Sequence, residues 1–273
     1  MSDLMQISMP TPDQDWSVLF SMGSSGPQLA ELKLNKAESV EHNNKKYPVS
    51  SPGIKIENAA FGEAYATDVR VRIFFDTMQT SVFDQEEGKY TNFSQHFKAY
   101  DQTALDWFGG DKCGWIKSAE RNKLKGTDPI AFANASRAKL SRNIFGLVSM
   151  GDAKSPDGKK VEVEEVPFRM KLGPSNFYSI TETYSKMVRA GANPHNHQIQ
   201  FNYRIDKKGS NSYIVLEYEP LYAKSFEMTP ENKETFGDLR EVINVENERV
   251  REKMRENMVS VMEDEFKDVV DAA

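Results

Sequence analysis

Period-two alternation of apolar and polar residues, repeated in runs separated by turn signals, is what most restricts the folds open to this 273-residue chain. Such runs bury one face of a strand against a core and leave the other face polar. Asp68 to Asp76 reads DVRVRIFFD, which puts Val69, Val71, Ile73 and Phe75 on one face and Arg70, Arg72 and Phe74 on the other. The strand is expected to continue toward Phe83, turn through Asp84 to Lys89 and return through YTNFSQHF as a hairpin. NIFGLVSM, from Asn143 to Met150, and the alternating VEVEEVPFRMKL ending at Leu172 predict a second hairpin, with Phe168, Met170 and Leu172 on one face and Arg169 and Lys171 on the other. A final hairpin is predicted from HQIQFNYRI and SYIVLEYEP, which places Gln198, Gln200, Asn202 and Arg204 on one side. Before it the spacing turns helical: Phe177, Ile180, Tyr184, Met187 and Val188 form the stripe of an amphipathic helix, stopped by Gly191 and Pro194.

These elements predict a mainly β fold with helices, of the α+β class. Two hairpin-like strand pairs, one helix and two closing strands follow the order of an OB-fold, a small Greek-key barrel. Residues 1–60, studded with Pro, Ser, Asn and Gly, read as an N-terminal arm. Residues 61–222 hold 23 of the 29 aromatics and read as the core domain, interrupted by an insertion over 99–142. Residues 223–273 read as a C-terminal helix and acidic tail. Thr229-Pro230 supplies a cap with Pro at the first helical position, Gly237 a break, and Ile243, Val250, Met254, Met258 and Met262 the apolar stripe of a long helix from Leu239 to about Phe266.

Charge is laid out unevenly. From Lys112 to Arg142 eight cations, Lys112, Lys117, Arg121, Lys123, Lys125, Arg137, Lys139 and Arg142, face only Glu120 and Asp128. From Leu221 to Ala273 eight Lys and Arg face 14 Asp and Glu. A basic segment in an acidic chain points to a polyanion partner, because Lys and Arg supply the phosphate contacts of most nucleic-acid interfaces. Within DWFGGDKCGWIKS, Trp107 and Trp115 offer flat faces for bases, and the glycines between them would let backbone amides approach a phosphate. The alternative for this loop is a glycine-rich turn anchored by two buried tryptophans. Gly109 to Gly114 has the spacing of a Walker A loop, but Trp115 stands where that loop needs its Lys. On the polar strand faces, Arg70, Arg72 and Phe74 pair phosphate neutralisation with stacking, and Arg169, Lys171 and Arg204 extend the cationic surface.

Other chemistries are excluded or weak. No apolar run approaches the ~18 residues of a membrane span, and no basic n-region opens the chain, so the expectation is a soluble protein of the cytoplasm. One cysteine, Cys113, forms no internal disulfide framework and no Cys-rich zinc site. No GxSxG elbow or HExxH appears. His195 and His197, two apart, have a spacing that metal sites use. They stand beside Pro194 without a further His, so no metal, cofactor or catalytic residue is assigned.

The OB-like core with its aromatic and cationic strand face, the basic insertion and the acidic C-terminus together resemble the single-stranded DNA-binding proteins of bacteriophages. The resemblance covers about Phe61 to Tyr222 and the tail, and rests on layout. It implies a non-enzymatic protein that coats single-stranded DNA in replication and recombination, in the host cell cytoplasm. It also implies an acidic tail that competes for the DNA groove and recruits replication proteins. Two features depart from that family: Cys113 stands alone where one group has zinc-liganding cysteines, and Asp271-Ala272-Ala273 replaces the terminal aromatic of another. A different class of function is a structural or assembly protein, a scaffold or virion component that self-associates through its C-terminal helix. A third is a metal-dependent nuclease using His195 and His197.

Overall fold

A computed structural model describes residues 29–35, 39–42, 45–48, 53–208 and 211–271, with side chains left undescribed at 39–42, 45–48, 207–208, 211–212 and 261–271. Eleven strands occur in this part of the chain: β1 (Ala30–Asn35), β2 (Ser39–His42), β3 (Lys45–Pro48), β4 (Gly53–Asn58), β5 (Gly62–Ala66), β6 (Val69–Asp84), β7 (Lys89–Phe93), β8 (Ala138–Met150), β9 (Val163–Leu172), β10 (His197–Lys208) and β11 (Asn211–Ser225). Four α-helices accompany them: α1 (Ser118–Thr127), α2 (Pro129–Arg137), α3 (Pro174–Arg189) and α4 (Pro230–Asp271). Nine of the strands form one sheet in the order β11-β10-β6-β8-β9-β1-β4-β5, with β7 also on β6, while β2 and β3 pair separately. The three expected hairpins and the helix between them are present. The α+β class holds, but the sheet is open, with β11 and β5 at its two ends, and does not close into the expected small barrel.

The long antiparallel ladder of β6 and β8 is the middle of the molecule. One sheet face carries Val69, Val71 and Ile73 of β6 and Ile144 and Val148 of β8. Phe168, Met170 and Leu172 of β9 extend it, and Phe177, Ile180 and Met187 of α3 join the same core. The opposite face carries Phe74, Phe145 and Leu147, which pack on Leu239 of α4, with Phe75, Phe236 and Ile243 at the margin. Each such apolar side chain contributes roughly 1.5–3 kcal/mol when fully buried. The expected partition of β6 fails at Phe75 because the ladder slips between Ile73 and Phe75, opposite Gly146. A bulge of this kind swings the following side chain to the other face. Phe74 and Phe75 therefore both reach Phe236, at 6.0 and 5.3 Å between centroids. Gly146 is what admits the slip, since a Cβ there would lie 1.9 Å from the Arg72 carbonyl oxygen.

Two segments of the expected arm belong to the sheet. β1 pairs parallel with β9 and antiparallel with β4, and Ala30, Leu32, Ile54 and Ile56 are fully buried. Residues 1–28 of that arm lie outside the described part of the chain. The expected insertion over 99–142 holds a loop, a single 3-10 turn at Lys112–Gly114, and helices α1 and α2, but its last five residues are already in β8. Helix α4 starts at Pro230 as expected, with the Asn232 amide donating to the Thr229 hydroxyl at 3.2 Å. It runs through Gly237 without a break. A mid-helix glycine costs about 1 kcal/mol, which the packing of Phe236 and Leu239 on the sheet offsets.

Candidate nucleic-acid interface

Five of the expected DNA-contacting residues are committed to the interior. Arg72 is 2% exposed: Nη1 donates to Glu165 Oε1 (2.6 Å), Nη2 to Asn232 Oδ1 (3.1 Å), and Nε to the His195 carbonyl (3.1 Å). The ring of Phe226 lies 4.9 Å from its guanidinium carbon. Phe74 is covered by helix α4, for the reason given above. Arg169 bridges Glu31 (2.7 Å) and Glu246 (2.6 Å), which ties β9 to β1 and to α4. Arg142 binds Asp76 (2.6 Å) and Thr181 (2.5 Å) and so fastens α3 to the sheet. Lys112 is buried over Phe97 and pairs with Asp111 at 2.8 Å. The polar face of a strand is open to a ligand only while nothing covers it, and α4 packs on Arg72, Phe74 and Arg169 and α3 on Arg142.

The glycine-rich loop cradles a carboxylate of its own. Asp106, 3% exposed, accepts from the amides of Phe108 (2.9 Å) and Gly110 (3.1 Å) through Oδ1 and from the amide of Cys113 (3.0 Å) through Oδ2. Lys112, Cys113 and Gly114 all take positive φ, which turns successive amides inward. The amides that sequence reasoning offered to a phosphate are therefore occupied. Burial pushes the Cys113 thiol up to about 12, with the Asp106 carboxylate adding to the effect, so it is not a reactive thiolate at neutral pH.

Arg70 and Arg204 are accessible but lie at the wrong end and beside acids. Arg70 is 3.3 Å from Asp68, and Arg204 is 3.2 Å from Asp206 and 3.3 Å from Glu217. Arg70 sits opposite Ser149, whereas Ser81, eleven residues along the same strand, sits opposite Lys139. An extended strand separates those positions by about 36 Å.

The far end of β6 and β7 is different. Phe83 and Tyr90, 46% and 43% exposed, lie 5.0 Å apart between centroids. Tyr90 continues to Phe93 at 4.7 Å, and Phe93 to Trp107 at 5.4 Å. Lys171 lies 5.2 Å from the Tyr90 centroid and 5.5 Å from that of Phe93. These contacts form a row of four rings with a cation over its middle. In the loop on either side of Trp107, Tyr100 stacks on Trp115 at 5.7 Å with the Lys117 ammonium 5.8 Å from the tyrosine ring.

The cations of the basic helices join the sheet at this same end. Lys139 is opposite Ser81 in the ladder, and Arg137, together with Lys89, helps hold the Asp84 carboxyl below its ordinary range, after the amides of Glu87 and Glu86. Lys117, Arg121, Lys123, Lys125, Arg137 and Lys139 form no ion pair among the described residues. Helix α1 buries no residue. Of the expected site, then, Lys117, Arg121, Lys123, Lys125, Arg137, Lys139 and Lys171 remain available, while Trp107 and Trp115 are half-buried, Trp115 against the main core. Phe83, Tyr90, Phe93 and Tyr100 are additions. The signal for Tyr90 and Phe93 was two aromatics within the otherwise polar KYTNF of a short strand, at a spacing of three that the period-two reading does not register.

Helix α4 borders the row: Asn257 Nδ2 donates to the Trp107 carbonyl at 2.8 Å, and a Cβ on Gly109 would come 3.0 Å from Met258 Cε. At the other end of the sheet, burial and the charge of Arg72 push the His195 imidazole below its ordinary value. The described residues contain no group of three or more His, Cys, Asp or Glu suited to a metal ion, and no helix long and apolar enough to cross a membrane. No protein-family model, curated protein or solved structure matches the chain.

Proposed function

We propose that this chain binds single-stranded DNA with little regard to sequence and protects it during replication or recombination, as a non-enzymatic protein of the cytoplasm. The observation that carries the reading is the row Phe83, Tyr90, Phe93, Trp107 with Lys171 above it, at the end of the sheet where α2 runs into β8 beside Arg137 and Lys139. Exposed rings accept any base, at roughly 1–3 kcal/mol for each one stacked. Cations without an acidic partner neutralise phosphates and release counterions. A likeness to phage single-stranded DNA-binding proteins would involve an opened and enlarged relative of the OB barrel, and stacking of bases on the ring row needs no closed barrel. Recruitment of replication proteins by the acidic C-terminal residues belongs to the same proposal.

The assembly reading has less support, because Leu239 and Val250 of α4 are spent on packing within the chain. The test is tryptophan fluorescence of the full chain titrated with oligo-dT at two salt concentrations. Binding should quench at low salt, weaken as salt rises, and lose affinity on Tyr90→Ala by about 1–3 kcal/mol. Absence of binding at low salt would sink the proposal, and tight binding indifferent to salt would remove its phosphate part.

A further inference from the structure

One aromatic beside the row remains without a use. Phe108 is 63% exposed and follows Trp107 directly. It stands on backbone that is held on both sides: its own amide and that of Gly110 donate to Asp106 Oδ1, and the Gly109 amide donates to the Asp106 carbonyl at 3.0 Å. Gly109 takes φ +78°, and a Cβ on Gly110 would meet Asp106 Oδ2 at 2.9 Å, so the tip needs both glycines. The fold thus fixes the backbone that carries an apolar ring into solvent. A side chain carried on backbone already held in place needs less ordering on binding than one on a free loop.

We propose that Phe108 is a wedge that stands against the terminal base pair where a bound single strand enters duplex. This rests on the single-strand reading above. Unpaired bases would follow Phe93 and Trp107, and the residue directly after Trp107 in the chain is a projecting phenylalanine. Apolar side chains of this kind separate base steps by inserting between them. The site would then distinguish a junction from a continuous single strand.

The probe is a hairpin duplex with a dT tail and 2-aminopurine in the pair next to the tail, with oligo-dT alone as control. The full chain should raise the 2-aminopurine signal. Phe108→Ala should reduce that rise about fivefold or more, the order of one lost stacking contact, while the affinity for oligo-dT changes little. Phe108→Leu, still apolar, should keep most of the rise. An unchanged rise in Phe108→Ala overturns the wedge and leaves the single-strand reading standing. Failure of the unaltered chain to bind oligo-dT overturns both. Phe108 is a surface side chain, so a thermal melt of the variant matching that of the parent shows that folding is not the cause.

Discussion

The polar ligands of Arg72 come from three places in the chain: Glu165 on β9, the His195 carbonyl before β10, and the Glu227 carbonyl with Asn232 where α4 begins. Removing such a side chain leaves two carbonyls, a side-chain amide oxygen and a carboxylate without their partner, so Arg72→Ala should lower stability by about 3 kcal/mol. Urea unfolding would show the loss, and the oligo-dT affinity of the folded variant should stay unchanged. A fall in affinity with stability intact would restore Arg72 to the binding surface. A second internal network joins Thr77, His96, Glu246 and Arg169: His96 lies 2.8 Å from the Thr77 hydroxyl and 2.7 Å from Glu246. Burial works to raise the Glu246 carboxyl, but the His96 hydrogen bond and the Arg169 charge outweigh it and hold the group at about 2. A depressed folded value means stability that is present above the unfolded value and lost as pH falls. Glu246 should therefore contribute about 3 kcal/mol at neutral pH, fading between about pH 4.5 and 2. Glu246→Gln should flatten that limb of a stability against pH curve.

At the scale of elements, local patterning showed the hairpins β6–β7, β8–β9 and β10–β11 and helix α3, because each buries a face set by its own periodicity. It did not show β1 and β4. AELKLN and GIKIEN each offer only two or three inward side chains; β1 is held by pairing with β9, more than 100 residues away in sequence, and β4 joins the sheet through β1. For the same reason the phase of Arg72 was legible and its burial was not: alternation says which side chains share a face, and only α4, about 160 residues on, decides that the face is covered. The aromatic row escaped notice because it is assembled from β6, β7 and the following loop. The end of α4 carries Glu263, Asp264, Glu265, Asp268 and Asp271 against Lys267. Ending the chain after Ser260 keeps Met254, Asn257 and Met258 and should leave the melt unaltered. It should also tighten oligo-dT binding at low salt, a gain that vanishes at high salt if these acids compete with phosphate. Equal affinity with and without the segment would remove the competition.

For the molecule as a whole, the sheet separates two kinds of charge. Around Arg70 and Arg204 cations and acids alternate and neutralise one another, whereas around α1 the cations stand alone among the described residues. Salt dependence should report the second kind. Replacing Arg121, Lys123 and Lys125 together by Ala should lower the slope of log affinity against log salt by about 0.7 for each residue in contact with phosphate, and Arg70→Ala should leave it alone. An unaffected slope in the triple variant would place the nucleic acid elsewhere. Helix α4 touches both ends of the sheet, from Asn232 at Arg72 to Asn257 at Trp107, and it is translated after every strand that it covers. On the ribosome, Phe74, Phe145 and Leu147 are therefore synthesised long before Leu239 exists to shield them. That interval exposes a sticky half-finished surface, so the yield of native protein should depend on chaperone supply and elongation rate.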